Sequence, residues 1–298
     1  MTSLYIIPQA ASQELSTRNR NISNPSATQA FGVVDKNGWS VEAAAHYRGG
    51  RNLTDNLALQ KRFKEAPGFK KITGRWYYGG ILFTHFGHFL TESLHRLKGY
   101  YESRQDFDGV IFLKSPQDGT FDYSPFDISF IKSIVKDYFQ IDPNNVLLAD
   151  SYLEFEDLTC RPQEQQLGGA PNPTYVKFLG NLESEFLNGT IERDFPENIF
   201  LSRKNYLKAG RTLGMAAVEN VFSENGFSII SPEEYPIKQQ VSFIHHSKKI
   251  FCEAGSALHL IDILGPQTSQ LVVLSRRGFD AHYWRNLYGN RVSKFTAF

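Results

Sequence analysis

The sequence predicts an α/β fold built as two Rossmann-like halves with parallel sheets, and three observations carry that prediction. Apolar runs of strand length alternate with helix-periodic segments between residues 75 and 160. The same alternation resumes between residues 198 and 274. Between the two stretches, residues 161–173 hold Pro162, Gly168, Gly169, Pro171 and Pro173, the best linker signal in the chain. Strand–helix alternation is the pattern of a parallel sheet covered by crossover helices. The expected domains are therefore 1–165 and 166–298. Ligands of such folds bind at the carboxyl ends of the strands and in the cleft between halves.

In the first half, residues 76–83 are an apolar, aromatic run of strand length. A helix pattern follows over 87–103, with Phe86, Phe89, Leu90, Leu94, Leu97, Tyr100 and Tyr101 spaced by three and four. Residues 110–113 read as a short buried strand. Ser124-Pro125 opens a helix running to about residue 140, with proline in its first turn. Strands are expected at 146–149 and 153–159. In the second half the order is helix 174–187, strand 198–202, helix 211–225, strand 227–230, helix 236–248, strand 249–252, helix 256–264 and strand 270–274. Residues 12–29, rich in Ser, Asn and Arg, read as a loop, and no repeat of 20–50 residues is present.

Composition narrows the function classes. With 298 residues, 41% apolar and 21% charged, the chain reads as a soluble globular protein. A net charge of +1 supplies no basic field for phosphate neutralisation, so nucleic acid is not an expected partner. The aromatic share of 14% suits a large core first, and sugar faces second. Cys160 and Cys252 match no metal spacing and need no disulfide, which points to a reducing compartment. The start at Met1 lacks a basic region and a long apolar run, so neither a signal peptide nor a spanning helix is expected there. No run of about 18 apolar residues occurs elsewhere. The tail 283–298 mixes aromatics with Arg285, Arg291 and Lys294; it is expected to pack back on the N-terminal half, with contact to a membrane surface the alternative.

Four motifs carry chemistry. The apolar strand 250–252 runs through Glu253 and Ala254 into Gly255 and a helix. Gly255 lets backbone approach a ligand, and Ser256 can cap the helix. The N–H groups of Ser256, Ala257 and Leu258 then suit a diphosphate; the plain alternative is an ordinary capped turn. Arg203 follows the strand Phe200-Leu201-Ser202, and Arg211 opens the next helix, against the helix dipole. Two guanidiniums near strand ends could pair with phosphate oxygens or be merely solvated. In residues 84–96, His85, His88, Glu92, His95 and Arg96 share one helical face. His88 in the first turn would stay neutral beside the positive helix end, as a general base must. The alternatives are a solvated face with a Glu92–Arg96 pair, or a metal site from His88, Glu92 and His95. Asp106-Phe107-Asp108 precedes a strand rather than following one and reads as a loop.

Taken in order, these pieces resemble glycosyltransferase family 61, whose bacterial members include capsular polysaccharide biosynthesis proteins. The resemblance spans roughly residues 80–277. It rests on Gly87 to Ser93 followed by Arg96-Leu97, Leu201-Ser202-Arg203, Gly226-Phe227 followed by Pro232-Glu233, Gln239 or Gln240, Gly255 to His259, and Arg276-Arg277. The family often shows Asn-Glu after its helix-opening arginine; here Thr212-Leu213 follow Arg211, and Glu219-Asn220 comes later.

The resemblance implies a GT-B fold with the donor nucleotide in the C-terminal half. It implies inverting transfer from a nucleotide-diphosphate sugar, with a UDP-sugar expected, to a glycan or lipid-linked glycan acceptor of surface polysaccharide synthesis. No cofactor and no metal ion are expected, because arginines and helix N–H groups stand in for the divalent cation. His88 is the expected base, with Glu92 orienting it or binding acceptor. Arg203, Arg211, Gly255, Ser256, Ala257, Leu258 and His259 are expected to hold the diphosphate, and Glu253 the ribose or sugar. The expected location is cytoplasmic, with the inner face of the membrane left open.

Overall fold

The structure is a computed structural model that describes residues 3–9, 29–115, 124–190, 195–203, 214–275 and 281–298. Most of the loop expected over 12–29, Arg211, and the Arg276-Arg277 pair lie outside the described residues. The chain divides into two units, Met1–Leu167 and Gly168–Phe298.

The first unit contains β1 (Leu4–Ile7), β2 (Gly32–Val34), the two-residue β3 (Tyr47–Arg48) and β4 (Arg51–Asn52), and α1 (Asn56–Lys64). Then come β5 (Lys70–Leu82), α2 (Phe86–His88), α3 (Leu97–Glu102), β6 (Gly109–Lys114), α4 (Ser129–Lys132), β7 (Val146–Ala149) and β8 (Leu153–Thr159). Among the described residues its main sheet has the order β2-β1-β8-β5-β6-β7. Strands β8, β5, β6 and β7 are mutually parallel, whereas β1 runs antiparallel to β8 and β2. The sheet is therefore mixed rather than purely parallel. The antiparallel edge comes from residues that showed no strand signal in the sequence.

Strand β5 begins six residues before the expected one. Its first half, Lys-Lys-Ile-Thr-Gly-Arg, is mostly polar and exposed and pairs with β8; its second half is buried and pairs with β6. The register shifts near Gly74 and between Tyr78 and Gly80, where Gly74 and Gly80 adopt φ of 86° and 103°. Positive φ at glycine is the backbone requirement of such bulges. Ile81, Phe83, Ile111, Leu113, Phe155 and Leu158 form the core on one face. On the other face, Leu59 of α1 meets Ile7 and Val34. Asp55 starts α1 by accepting the Ala58 N–H at 3.0 Å.

The single helix expected over 87–103 does not form. One α turn, Phe86–His88, passes into a π-helical turn, Phe89–Ser93, and the chain bends through Leu94–Arg96 before α3. The helix expected over 125–140 is likewise a 3-10 turn, a short α4 and a π-helical turn. Apolar spacing by three and four suits all three turn types over so few residues; packing selects among them.

The second unit contains α5 (Pro173–Leu187), β9 (Asn198–Leu201), α6 (Met215–Glu224), β10 (Ser228–Ile230), α7 (Ile237–His246) and β11 (Lys249–Glu253). A 3-10 helix (Ser256–Ile263), β12 (Gln267–Leu274), α8 (Ala281–Tyr288) and β13 (Val292–Ala297) follow. Among the described residues the sheet order is β10-β9-β11-β12-β13, parallel throughout. The chain leaves β9 toward β10 on one side and returns to β11 on the other. Parallel sheets bind ligands at the carboxyl edge of such a reversal, which falls between β9 and β11 here.

The tail differs from expectation. Residues 281–298 form α8 and β13, which extends the second sheet beside β12, so the tail belongs to the C-terminal unit and not to the N-terminal half. Arg291 is buried and donates to the carbonyls of Leu264 at 2.8 Å and Ile261 at 3.3 Å, which removes it from any membrane surface. Among the described residues no helix is long and apolar enough to cross a membrane.

Candidate functional site

Two clusters of polar side chains stand at the carboxyl ends of strands, one in each unit. In the first unit, β5 ends at Leu82 and delivers His85 and His88 into the α2 turn. The π-helical turn that follows places Glu92 beside His88. Glu92 is wholly buried, and its carboxylate accepts four bonds. His88 Nδ1 lies 2.6 Å from Oε1, and His46 Nε2 lies 2.8 Å from Oε2. Arg48 grips both oxygens, with Nε 2.5 Å from Oε2 and Nη2 2.9 Å from Oε1.

This environment decides the charge states. Burial pushes the Glu92 carboxyl up, but the hydrogen bonds from His46 and His88 and the charges of His46 and Arg48 outweigh it. The net effect holds Glu92 well below the usual carboxylate range, as an anion. Burial also lowers His46, opposed by Glu92, so its imidazole is neutral and donates from Nε2. His88 faces the Glu92 carboxylate with Nδ1, so in its neutral tautomer the acceptor nitrogen is Nε2. About a third of the His88 side chain is exposed, at 32%. A carboxylate-oriented imidazole with a free ring nitrogen can accept a proton.

Several expectations for this segment change. The solvated polar face is absent, because Glu92, His95 and Arg96 are all buried. Arg96 does not pair with Glu92; it donates to the carbonyls of Ala45 at 2.6 Å and Arg161 at 2.8 Å. His95 turns to the Gln165 carbonyl at 2.7 Å, so the His88, Glu92, His95 metal set does not assemble. Among the described residues no group of three or more His, Cys, Asp or Glu side chains could hold a metal ion. The expected dipole argument for His88 also fails, because α2 is a single turn; the neighbouring carboxylate orients the ring instead. Glu92 is enclosed by its three partners, His46, Arg48 and His88. Asp108 is structural: its Oδ2 accepts the Arg75 N–H at 2.8 Å beside the Gly74 bulge.

In the second unit, β9 leads into Ser202 and Arg203, and neighbouring β11 leads through Glu253 to Gly255. Arg203 and Gly255 touch. A Cβ on Gly255 would overlap Arg203 Nη1 and lie 2.7 Å from its Cζ. Gly255 is extended, with φ 173° and ψ −176°, so the reason for glycine is space. Arg203 is 12% exposed, and its Nε lies 4.0 Å from Glu253 Oε2. Glu253 is buried. Ser202 ties the strand end to the sheet through its N–H on the Ile230 carbonyl at 2.7 Å. Its hydroxyl donates to Glu219 of α6 at 2.5 Å.

The turn after Gly255 is 3-10, and Gly255, not Ser256, occupies the cap position without a side-chain cap bond. Ser256 opens the first turn. The Leu258 N–H donates to the Gly255 carbonyl at 3.0 Å and its side chain is in the core, so Leu258 offers no group to a phosphate. Three-residue hydrogen bonding leaves the N–H groups of Ser256 and Ala257 ahead of the first closed ring. His259 is held at Nδ1 by Asp262 Oδ2 at 3.0 Å and Tyr288 Oη at 2.8 Å. Tyr288 donates to the same Asp262 oxygen at 3.0 Å. Burial and the Asp262 charge push the Tyr288 phenol well up, so it stays protonated.

Sequence reading missed His46, Arg48, Glu219, Asp262 and Tyr288. Asp262 could be found from its i,i+3 spacing to His259. His46 and Arg48 lie in a stretch without periodicity and gave no local signal. A family model described as Glycosyltransferase 61 matches residues 86–271, more than half of the chain, which takes in His88, Glu92, Arg203 and Gly255. A search of the curated proteins found no match.

Proposed function

The chain belongs to glycosyltransferase family 61, and from that premise we propose inverting, metal-independent transfer of a sugar from a nucleotide-diphosphate donor, a UDP-sugar, to a glycan or lipid-linked glycan acceptor. The observation that carries the reading is the contact of Arg203 with Gly255 at the β9–β11 reversal. There a guanidinium and the N–H groups of Ser256 and Ala257 stand together where parallel sheets bind ligands. They supply the positive charge that a departing diphosphate needs. Arg211 and His259 complete the donor site in this reading, and Glu253 holds Arg203.

The first unit supplies the base. The acceptor hydroxyl oxygen attacks the anomeric carbon, its proton passes to His88 Nε2, and the bond to the diphosphate oxygen breaks with its electron pair leaving on phosphate. One displacement inverts the anomeric centre. Glu92 orients His88 and stabilises the imidazolium that forms. The two α/β units support a GT-B arrangement with an acceptor-side first unit and a donor-side second unit. Surface polysaccharide synthesis, capsular or lipopolysaccharide, at the cytoplasmic face of the membrane is the setting this chemistry fits.

The test is transfer from a panel of nucleotide sugars to glycan acceptors in EDTA, with the product anomer read by NMR. Turnover in EDTA with inversion is expected. Complete loss in EDTA sinks the metal-free mechanism, and retention of configuration sinks single displacement.

A further inference from the structure

His46 and Arg48 precede the family-matched segment 86–271, yet both reach the Glu92 carboxylate. A lone buried carboxylate against an imidazole favours the imidazolium, because the ion pair is stabilised in low dielectric. A protonated imidazole cannot serve as a base. Here the carboxylate is not alone: Arg48 meets both of its oxygens, a two-point grip that offsets its charge. His46 adds a neutral donor to the same oxygen that Arg48 Nε contacts.

We infer that Arg48 is a positioning residue that acts through Glu92 to keep His88 in its neutral, proton-accepting form. The inference rests on the reading of His88 as the base. Among the described residues, the following groups face His88. From its own segment come His85, with ring centroids 5.4 Å apart, and Glu92. From just past β5 comes apolar Phe83 at 5.5 Å, and from residues 46–48 come His46 and Arg48 by way of Glu92. Among these described residues, Arg48 is the full cation that meets Glu92 directly.

Its backbone is fixed to match. The Tyr47 N–H donates to Gln163 Oε1 at 2.6 Å, the Gly49 N–H to the Leu167 carbonyl at 3.0 Å, and the Gly50 N–H to Gln166 Oε1 at 2.8 Å. The guanidinium also lies over the Phe83 ring at 5.8 Å. Rigid support of this kind is what a group acting on a catalytic residue through another needs.

The experiment compares Arg48→Gln, which keeps hydrogen-bond donors but removes the charge, with Arg48→Lys, which keeps the charge but loses the fork. Transfer rates are measured against pH. In parallel, modification of His88 by diethyl pyrocarbonate, which attacks the neutral imidazole, is followed across pH by peptide mass spectrometry. Arg48→Gln is expected to move the acid limb of both profiles to higher pH by about one pH unit, with donor KM unchanged. Arg48→Lys is expected to keep both acid limbs in place with a lower kcat. Unmoved modification and rate profiles in Arg48→Gln overturn the inference. So does an Arg48→Lys limb displaced toward higher pH, which decides the matter even if Arg48→Gln does not fold. A displaced modification profile with an unmoved rate profile upholds the effect on His88 and instead overturns His88 as the base.

Discussion

The guanidinium of Arg203 fills the space in front of Gly255 that a side chain would occupy. The pairing of a strand-end arginine with a glycine just past the neighbouring strand makes one surface from two distant sequence motifs. Gly255→Ala should displace Arg203 while leaving the extended backbone undisturbed. We expect donor KM to rise about tenfold, the loss of one charge-assisted contact, with an unchanged circular dichroism spectrum. Calorimetric titration with UDP checks it; parent-like affinity removes Arg203 from the phosphate site.

His88 and Glu92 should separate binding from chemistry. His88→Ala is expected to lower kcat by about 10²–10⁴, the range for a lost general base, with nucleotide affinity unchanged. Near-parental kcat would rule out the base assignment. Glu92→Gln leaves the Arg48 guanidinium without its carboxylate, so a stability loss of about 3 kcal/mol accompanies its lower kcat. Urea unfolding alongside initial rates checks both.

Acid should loosen the first unit in two stages. Burial keeps folded His46 from protonating, while the unfolded chain takes up that proton near pH 6.5. The unfolded state then binds more protons, so stability falls as pH drops below about 6.5. Glu92, held below the usual carboxylate range, contributes stability above about pH 4.3 that is lost as pH falls through its folded value. His46→Gln should flatten the dependence of the urea midpoint between pH 7 and 5 and leave the drop below 4.5. An unchanged slope in that variant contradicts the assignment.

Gly265 tests packing away from both clusters. A Cβ there would overlap Gly180 Cα and lie 2.8 Å from its backbone nitrogen, where helix α5 crosses the start of β12. Neither backbone can yield, and the Glu183 carboxylate that accepts the Gly265 N–H at 2.8 Å would shift with it. Gly265→Ala is expected to destabilise by about 3 kcal/mol, more than an exposed glycine replacement. A melting temperature within 1–2 °C of the parent's (~1–2 °C is below the shift expected for 1 kcal/mol) argues against that close approach.

Legibility differed between the two halves. Strands β9, β11 and β12 could be read from residues 198–202, 249–252 and 270–274, because buried parallel strands are short apolar runs between turn residues. Strand β13, with the sequence Val-Ser-Lys-Phe-Thr-Ala, was hidden: it is a sheet edge, half exposed and polar. The antiparallel β1 and β2 are apolar, but at three or four residues they are too short for a period to show.

The sequence by itself determined the α/β class, the alternation of elements, and which residue types sit at strand ends, because each depends on neighbours within a few positions. Only tertiary structure decided what those residues touch. Glu92 shared a helical face with Arg96, yet the π-helical turn and the bend after it send Arg96 to backbone carbonyls. Its actual partners, His46 and Arg48, arrive from 46 and 44 residues upstream. No local pattern encodes that meeting. It arises because a buried carboxylate must be satisfied, and the fold brings His46 and the β3–β4 hairpin to the end of β5.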